Sequence, residues 1–323
     1  MSEVIIGVDI GGTSIKIGMI NENGNILSKW EIPTNLSNSG STIVKDIWHS
    51  IQEQVETFYT TNYSILGIGV GAPGFIDSDN GFVYEAVNIG WKNFHLADQL
   101  QALSDIPVFA GNDANIAVLG ENWKGSGNQA KNLIAVTLGT GVGGGIIANG
   151  RILNGENGTA GEIGHIAVDP NGYPCNCGGT GCLETIASAT GIVRQAMDII
   201  KRDSTSMLAK RFNEAGSITA KDVFNLAATG DKDSNGVINR TVDTLGLVIA
   251  NTAAIINPSK VVIGGGVSKA GDQLLNGIKK AFHNYAIPRV NEVCEIKIAQ
   301  LGNDAGIIGA AFYVKQKLQN IKF

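Results

Sequence analysis

Short apolar runs that end at glycine turns alternate with amphipathic helical patterns along the first third of the chain. Runs of branched apolar residues predict strands at 4–10, 15–20, 26–32, 65–70 and 107–110. The Asn23-Gly24 pair between the second and third runs predicts a hairpin turn. Apolar residues at helical spacing predict helices at 41–59 and 113–123.

The middle of the chain restarts this pattern, and the last third is mostly helical. Strands are predicted at 133–138 and 144–148, on either side of a second glycine turn. Further helices are predicted at 185–201, 219–229, 236–256 and 305–318, and further strands at 261–263 and 295–301. Because strands alternate with helices, the pattern predicts an α/β protein.

Two segments of the chain share one design. Residues 11–27 read GGTSIKIGMINENGNIL and residues 139–153 read GTGVGGGIIANGRIL. Each contains a glycine turn, an apolar strand, an Asn-Gly turn and then Ile-Leu, and a single deletion aligns them. The match is either a coincidence or the mark of two halves of common design, each directing a β-hairpin at the same ligand.

Composition and charge narrow the functional class. The 323 residues are 43% hydrophobic and 16% charged, which suits a globular protein large enough for two domains. The 43 glycines lie inside apolar runs, which excludes collagen and predicts turns where the backbone approaches a ligand. A net charge of -5 argues against a nucleic-acid partner. With no signal peptide or membrane-spanning run evident, we expect a cytoplasmic protein without a membrane partner.

The first glycine turn, in VDIGGTSIK, is a candidate phosphate site. Gly11 and Gly12 leave no Cβ to obstruct a phosphate. Thr13 and Ser14 add hydroxyls, and successive backbone N–H groups can form an anion-binding nest. Asp9, at the end of the predicted strand, can hold Mg²⁺ through water. An ordinary hairpin turn explains the motif equally well.

Two further glycine turns repeat this chemistry. TLGTGVGGGI brings the hydroxyls of Thr137 and Thr140 next to glycines, and it is neither a Walker A loop nor a dinucleotide fingerprint. IGGGVS, at residues 263–268, leads from a strand into a helix and can pack against adenine or ribose, or it is a plain turn. Three such turns in one chain favour a nucleoside triphosphate as ligand.

Asp113, in GNDAN, is the candidate general base. It opens a predicted helix, where the helix dipole keeps a carboxylate ionised. A lone aspartate at this position is more often an N-terminal cap, but here Asn112 precedes it and Gly111 permits close approach of a ligand. Phosphoryl transfer to a sugar hydroxyl needs one carboxylate to accept the proton, and Asp113 suits that role.

CNCGGTGC contains three of the four cysteines. With His165, Cys175, Cys177 and Cys182 make a complete tetrahedral set for Zn²⁺, which leaves no open position and indicates a structural site. A reducing compartment favours metal ligands over disulfides, and a redox pair and unliganded thiols remain alternatives. Cys294 lies in a predicted strand and is expected to be a buried, inert thiol.

Two glutamates flank the proposed metal ligands. Glu162 precedes His165 by three positions, and Glu184 follows Cys182 by two. A metal joining these segments would fix both carboxylates relative to each other, in a position to hydrogen-bond sugar hydroxyls. Solvated surface charges are the alternative interpretation.

The motifs together resemble one family. DIGGTSIKIG, GAPG, GNDAN, TLGTGVGGGII, GEIGH, CNCGGTGCLE and VVIGGGVS occur in the order and spacing of ROK-family sugar kinases, over essentially the whole chain. The set looks like the glucokinases of Gram-positive bacteria. The resemblance implies a two-domain actin-like ATPase fold, of the ribonuclease H-like or hexokinase type, with an interdomain cleft. It also implies transfer of the ATP γ-phosphate to the 6-hydroxyl of glucose with Mg²⁺.

The resemblance further implies a role for each motif residue, with Asp113 as the catalytic base. The sugar ligands would be Gly74, Asn88, Asn112, Asp113, Glu162, His165 and Glu184. The residues holding ATP and Mg²⁺ would be Asp9, Gly11, Gly12, Thr13, Ser14, Thr137, Gly139, Thr140, Gly141, Gly264, Gly265, Gly266 and Val267. His165 would serve as both zinc ligand and sugar contact. Gly111 stands where many relatives have Glu, and we expect little effect on catalysis.

Domain boundaries and partners follow from the same resemblance. It implies a smaller domain of 1–114 plus 303–323, a larger domain of 115–302, and a homodimer or homotetramer. The family also contains repressors with an N-terminal helix-turn-helix, which we do not expect here because the phosphate motif begins at residue 9. The alternatives are a kinase for another hexose or N-acetylmannosamine, and a non-catalytic sugar sensor. A zinc hydrolase would need an open metal position.

Overall fold

A computed structural model describes residues 2–58 and 63–321. The strands are β1 (Ser2–Ile10), β2 (Ser14–Asn21), β3 (Ile26–Pro33), β4 (Tyr63–Ala72), β5 (Phe75–Ile76), β6 (Phe82–Ala86), β7 (Trp91–His95), β8 (Val108–Asn112), β9 (Leu133–Leu138), β10 (Val142–Ala148), β11 (Arg151–Ile152), β12 (Lys260–Gly264) and β13 (Glu295–Ile298). The helices are α1 (Ile43–Phe58), α2 (Leu96–Ser104), α3 (Asp113–Lys124), α4 (Glu184–Ala187), α5 (Ala189–Arg202), α6 (Met207–Ala215), α7 (Ala220–Ala228), α8 (Lys232–Ile256), α9 (Asp272–Tyr285), α10 (Pro288–Val293) and α11 (Ala305–Ile321).

The longer apolar runs form two sheets with the same strand order. One sheet is β3-β2-β1-β4-β8 and the other is β11-β10-β9-β12-β13. In each, the central strand pairs antiparallel with the strand that follows it and parallel with β4 or β12. The two glycine turns of similar sequence therefore occupy the same place in each sheet, which supports the interpretation of two halves with a common design.

Several short elements were not predicted from the sequence. They are the three-stranded sheet β5-β6-β7, strand β11 and helices α2, α6 and α10, whereas α9 is the helix expected after the third glycine turn. The helix predicted at 185–201 is instead two helices, because Ser188 caps α5 by accepting a hydrogen bond from the Gly191 N–H. Residue 59, the last of the helix predicted at 41–59, lies outside the described residues. None of the described helices is long and apolar enough to span a membrane.

The last predicted strand is shorter than expected. β13 ends at Ile298, and the backbone N–H groups of Gln300 and Leu301 donate to the carboxylate of Glu121 instead of continuing the strand. Cys294 does not lie in a strand but between α10 and β13, where it is half-buried. Burial raises the pKa of its thiol to about 11, in line with the expected inert thiol.

The chain divides into two compact units. The first comprises the described residues of Met1–Gln129, Ile152–Ala160 and Gln300–Phe323, and the second comprises Ala130–Arg151 and Gly161–Ala299. The boundary was expected at residue 114 but lies further along the chain, because α3 packs directly on α11. A Cβ on Gly120 would lie 2.1 Å from the Ala305 carbonyl oxygen. Residues 152–160 also interrupt the larger domain expected at 115–302.

Glycines let α11 lie directly on the sheet of the first unit. A Cβ on Gly7 in β1 would lie 2.0 Å from the carbonyl oxygen of Ile307. One on Gly69 in β4 would lie 2.0 Å from that of Ala310. The alternation of glycine with branched apolar residues in these strands therefore places small residues toward α11.

We expect Gly7→Ala to destabilise the protein by about 3 kcal/mol, because the added methyl group would overlap a backbone oxygen that cannot move alone. Gly236→Ala is the matched control, since a Cβ there would meet nothing within 4 Å and Gly236 lies in the interior of α8. That control should be neutral or stabilised by up to about 1 kcal/mol. Urea unfolding midpoints measure both, and equal stability of the two variants would contradict the packing argument.

Candidate active site

Asp9 and Asp113 lie at the same edge of the first sheet. β1, β4 and β8 run parallel, and their register places Asp9 beside Gly71, which in turn pairs with Gly111. A Cβ on Gly71 would lie 3.5 Å from the Cα of Asp113, which follows β8. The carboxyl ends of parallel strands are where α/β proteins bind ligands, so the two carboxylates lie where a ligand site is expected.

Asn112, and not Asp113, is the cap of α3. Its Oδ1 accepts from the Asn115 N–H at 3.2 Å, and its Nδ2 donates to the Gly74 carbonyl at 3.0 Å. The capping interpretation of Asp113 is therefore wrong. The Asp113 carboxylate lies in the first turn and accepts from the Ala114 N–H at 2.8 Å. Burial raises the pKa of Asp113, and backbone hydrogen bonds partly oppose that rise.

Asp9 is a half-buried carboxylate with a raised pKa. Burial raises the pKa of Asp9 to about 6, Lys16 opposes the rise, and Asp113 adds to it. Lys16 lies directly opposite Asp9 on β2. Gly306 in α11 makes room for the carboxylate, since a Cβ there would lie 2.5 Å from Asp9 Oδ2. A carboxylate at a ligand edge is a suitable oxygen ligand for Mg²⁺.

The raised pKa of Asp9 predicts a pH-dependent stability. The folded-state pKa of about 6 exceeds the ordinary aspartate pKa of 3.8, so the folded protein binds more protons in this interval and loses stability as pH rises through it. We expect Asp9→Asn to be more stable than the wild type at pH 7, by at most about 3 kcal/mol, and equally stable below pH ~4. Urea unfolding without Mg²⁺ from pH 4 to 8 tests this, and a constant difference across that range would contradict it.

The first glycine turn presents an open face beside Asp9. The Gly11 N–H donates to the Ser14 carbonyl at 3.0 Å. Thr34, directly after β3, holds the turn, since its hydroxyl donates to the Gly11 carbonyl at 2.7 Å and its N–H to the Thr13 carbonyl at 3.0 Å. A Cβ on Gly12 would meet nothing within 4 Å. A ligand can therefore approach the backbone at Gly12.

The second glycine turn joins β9 to β10 in the second unit. The Gly139 N–H donates to the Gly141 carbonyl at 2.9 Å. The first residues of α5 bond two carbonyl groups of the turn. The Ala189 N–H donates to the Gly139 carbonyl at 2.8 Å, and the Thr190 hydroxyl donates to the Thr140 carbonyl at 2.9 Å. As at Gly12, a Cβ on Gly139 would meet nothing within 4 Å.

The third glycine turn lies beside the second on the same sheet. Thr137 of β9 is in register with Gly143 on one side and Gly264 on the other. Gly265 has φ +83°, and a Cβ on it would lie 2.5 Å from the Leu138 carbonyl oxygen. The turn continues into the 3-10 helix Gly266–Ala270 before α9 begins. Thr137 therefore has a glycine opposite it on each neighbouring strand, so few side-chain atoms lie on either side of it.

His165 and the three cysteines of CNCGGTGC come together. One ligand atom from each lies within 4.8 Å of the others. The His165 Nδ1–Cys175 Sγ and Cys177 Sγ–Cys182 Sγ distances are both 3.6 Å. Tetrahedral zinc bonds place two sulfurs ~3.8 Å apart, and a sulfur and a nitrogen ~3.6 Å apart. The disulfide interpretation is wrong because a disulfide needs about 2.05 Å, and the residues fit Zn²⁺.

The two flanking glutamates are placed differently. Glu162 is exposed, with Oε2 3.9 Å from His165 Nε2, whereas the Nδ1 of the same ring faces Cys175. Glu184 is half-buried and accepts from the Val142 N–H at 3.0 Å, with Oε1 3.8 Å from Cys175 Sγ. The interpretation as a solvated surface charge is therefore wrong for Glu184. Both carboxylates therefore lie next to the Cys/His cluster.

Gly74 and Asn88 both lie in the first unit, and Gly74 contacts Asn112. Gly74 has φ +96°, and a Cβ on it would lie 2.1 Å from the Glu85 carbonyl oxygen and 2.8 Å from the Cα of Ala86. Asn88 is exposed on the 3-10 turn that follows β6. The backbone of Gly74 therefore lies between β6 and the side chain of Asn112.

The predicted site residues divide between the two units. The first unit contains Asp9, Gly11, Gly12, Thr13, Ser14, Gly74, Asn88, Asn112 and Asp113. The second contains Thr137, Gly139, Thr140, Gly141, Glu162, His165, Cys175, Cys177, Cys182, Glu184, Gly264, Gly265, Gly266 and Val267. Sequence reasoning missed Thr34 and Thr190, which hold the first two turns. No local pattern marks these residues, because each lies far along the chain from its turn.

The chain is similar to known proteins over nearly its full length. A family model described as ROK family matches residues 5–317. The glucokinase of Halalkalibacterium halodurans is 53% identical, over 97% of this chain and 95% of its own length. That of Thermotoga maritima is 38% identical, over 97% and 98%. A crystal structure of a ROK family glucokinase from Streptomyces griseus, in complex with glucose and AMPPNP, is 34% identical with a TM-score of 0.74, over 97% of this chain and 99% of that one.

Proposed function

Because the chain belongs to the ROK family, we propose that it transfers the γ-phosphate of ATP to the 6-hydroxyl of glucose. Membership confirms the predicted fold class, the two-domain actin-like kinase fold. The catalytic part of this proposal rests on the position of Asp113. Its carboxylate does not cap α3 and lies at the strand edge beside Asp9. The names of the glucokinase relatives support the reaction and the sugar.

Asp113 is the general base in this proposal. Its carboxylate accepts the proton of the 6-hydroxyl while that oxygen forms a bond to the γ-phosphorus and the bond to ADP breaks. Burial raises the pKa of Asp113, which makes the carboxylate a better proton acceptor at neutral pH. The Ala114 N–H and the helix dipole hold it in place and keep it ionised.

The glycine turns and Asp9 would handle the nucleotide. Asp9 would hold Mg²⁺, which neutralises charge on the phosphate oxygens when bound. The backbone at Gly12 and Gly139 is open to close approach by phosphates. The third turn, at Gly264–Val267, would bind the adenosine, with Thr137 beside it in the sheet. This assignment gives each turn one part of ATP.

The sugar would be bound by polar side chains. Glu162 and Glu184 supply carboxylate acceptors for hydroxyls, and His165 supplies a ring nitrogen. With zinc on the Nδ1 side of His165, its Nε2 carries the proton and can donate to a hydroxyl or to Glu162. Asn112 would act through its amide, and Gly74 and Asn88 would complete the pocket.

A substrate panel tests the proposal. ADP release is measured with ATP and glucose, mannose, fructose or N-acetylmannosamine, and we expect the highest kcat/KM with glucose. A higher value for another sugar would assign the chain to the alternative hexose or N-acetylmannosamine kinase. Glucose binding by calorimetry without turnover on any sugar would indicate a non-catalytic sensor.

Family membership also supports two further proposals, one on where the protein acts and one on its assembly. We infer that it acts in the cytoplasm, where clustered thiols serve as metal ligands. We also infer an assembly of two or four copies, which light scattering on the purified protein tests. A monomeric mass at assay concentrations would overturn the second proposal.

A further inference from the structure

The segment Leu183–Thr190, here called the clamp, links the Cys/His cluster to the second glycine turn. It begins directly after Cys182 and comprises Leu183, all of α4 and the first residues of α5. Three of its residues contact backbone groups of the turn or of its first β10 residue. The clamp therefore lies between the metal ligands and a turn assigned to the nucleotide phosphates.

The clamp makes three hydrogen bonds to the turn region. Glu184 Oε2 accepts from the Val142 N–H at 3.0 Å. The Ala189 N–H donates to the Gly139 carbonyl at 2.8 Å, and the Thr190 hydroxyl donates to the Thr140 carbonyl at 2.9 Å. One donor and two acceptors of the turn region are thus bonded by residues of two consecutive helices.

The clamp is itself held in shape at both ends. The Thr185 hydroxyl donates to the Cys182 carbonyl at 2.8 Å, and the Leu183 N–H donates to Ile166 at 2.9 Å. Ser188, between the two helices, donates to the Glu184 carbonyl at 2.7 Å and accepts from the Gly191 N–H at 2.9 Å. Hydrogen bonds of the clamp itself therefore hold in place the three groups that bond the turn region.

Gly141 adapts the turn to the clamp. A Cβ on Gly141 would lie 2.2 Å from Glu184 Oε2, so a larger residue there would displace that carboxylate from its present position. A glycine turn has many accessible backbone conformations, and fixing one of them costs entropy. Restraining the turn before the nucleotide binds would reduce the cost of binding.

We propose that the clamp positions the second glycine turn for the nucleotide phosphates, with Thr190 as a positioning residue. The inference rests on the proposed function, because it needs that turn to contact phosphate. Thr190 is exposed, and its hydroxyl bonds the turn from the side of α5. It belongs to neither the predicted sugar ligands nor the predicted ATP ligands, so its substitution isolates the positioning effect.

Thr190→Val removes the hydroxyl and keeps the shape of the side chain, and Thr190→Ser keeps the hydroxyl. Thr244→Val is the control, because Thr244 is a half-buried helical threonine whose hydroxyl also donates to a carbonyl, that of Arg240, at 2.7 Å. The measurements are KM for ATP, KM for glucose, kcat, and the Kd of MgADP by calorimetry.

One neutral hydrogen bond corresponds to a change of roughly two- to tenfold. We expect Thr190→Val to raise the KM for ATP and the Kd of MgADP by about that factor, with the KM for glucose unchanged. Thr190→Ser and Thr244→Val should match the wild type. Unchanged nucleotide constants in Thr190→Val, an equal rise for glucose, or a Thr190→Ser variant as impaired as Thr190→Val would each overturn the positioning role.

The two proposals fail in distinguishable ways. If the wild-type protein phosphorylates no sugar, the proposed function fails, and the MgADP titrations of the same variants still test the clamp. If the wild type phosphorylates glucose and Thr190→Val binds MgADP normally, the clamp fails and the proposed function stands.

Discussion

We expect Asp113→Asn to lower kcat for glucose phosphorylation about 1,000-fold, because the amide cannot accept the proton of the sugar hydroxyl. The loss should fall on kcat and not on structure. Asn112 caps α3, so the helix keeps its N-terminal hydrogen bond in the variant. Burial raises the pKa of Asp113, so replacing the charged carboxylate should leave stability at pH 7 equal or slightly higher.

Steady-state kinetics and urea unfolding of the same preparations measure the two effects separately. Asp98→Asn is a matched control, because Asp98 is an exposed aspartate in the first turn of α2. It should keep wild-type kcat. An Asp113→Asn enzyme with kcat within tenfold of the wild type would show that another group accepts the proton.

The second large effect is expected from loss of the metal. We expect Cys177→Ser to lose bound zinc and to raise the KM for glucose about 10- to 100-fold. The cluster lies against groups assigned to the sugar: His165 contributes one ring nitrogen to it, and Glu184 Oε1 lies 3.8 Å from Cys175 Sγ. Cys177 is exposed, so a serine there leaves the buried packing of Cys175 and Cys182 in place.

Zinc content by elemental analysis and the KM for glucose are measured on the wild type, Cys177→Ser and Cys294→Ser. Cys294 lies outside the cluster, so Cys294→Ser should retain both zinc and KM. Full zinc in Cys177→Ser would contradict the ligand set. Loss of zinc with an unchanged KM would contradict the link between the metal and the sugar site.

Much of the local structure follows from short-range patterns. The strand predicted at 133–138 and the helix predicted at 113–123 match β9 and α3, because apolar periodicity and turn residues act over a few positions. Helix α9 was expected after the third glycine turn but was given no bounds, although its buried residues Leu274, Ile278, Ala281 and Phe282 follow a helical period. Strands β5 to β7 are short, so their pattern carries little information.

The sequence predicted which residue types form the candidate site. It predicted fewer of the contacts that those residues make. The spacing of His165, Cys175, Cys177 and Cys182 predicted one cluster, and their ligand atoms lie together. Asp113 was found by its place after a strand, but the sequence left it open whether Asp113 was a cap. The role of cap belongs to its neighbour Asn112, which only the hydrogen bonds of α3 distinguish.

The sequence by itself determined the α/β class, the three glycine turns, the metal-ligand set and the aspartate at the start of α3. These features depend on residue type and spacing within short segments. Only the tertiary packing shows that α11 lies on Gly7 and Gly69, that half-buried Asp9 lies against Gly306 of α11 with a pKa of about 6, and that Thr190 bonds the second turn. These contacts join residues far apart in the chain, so they depend on how the helices pack on the sheets.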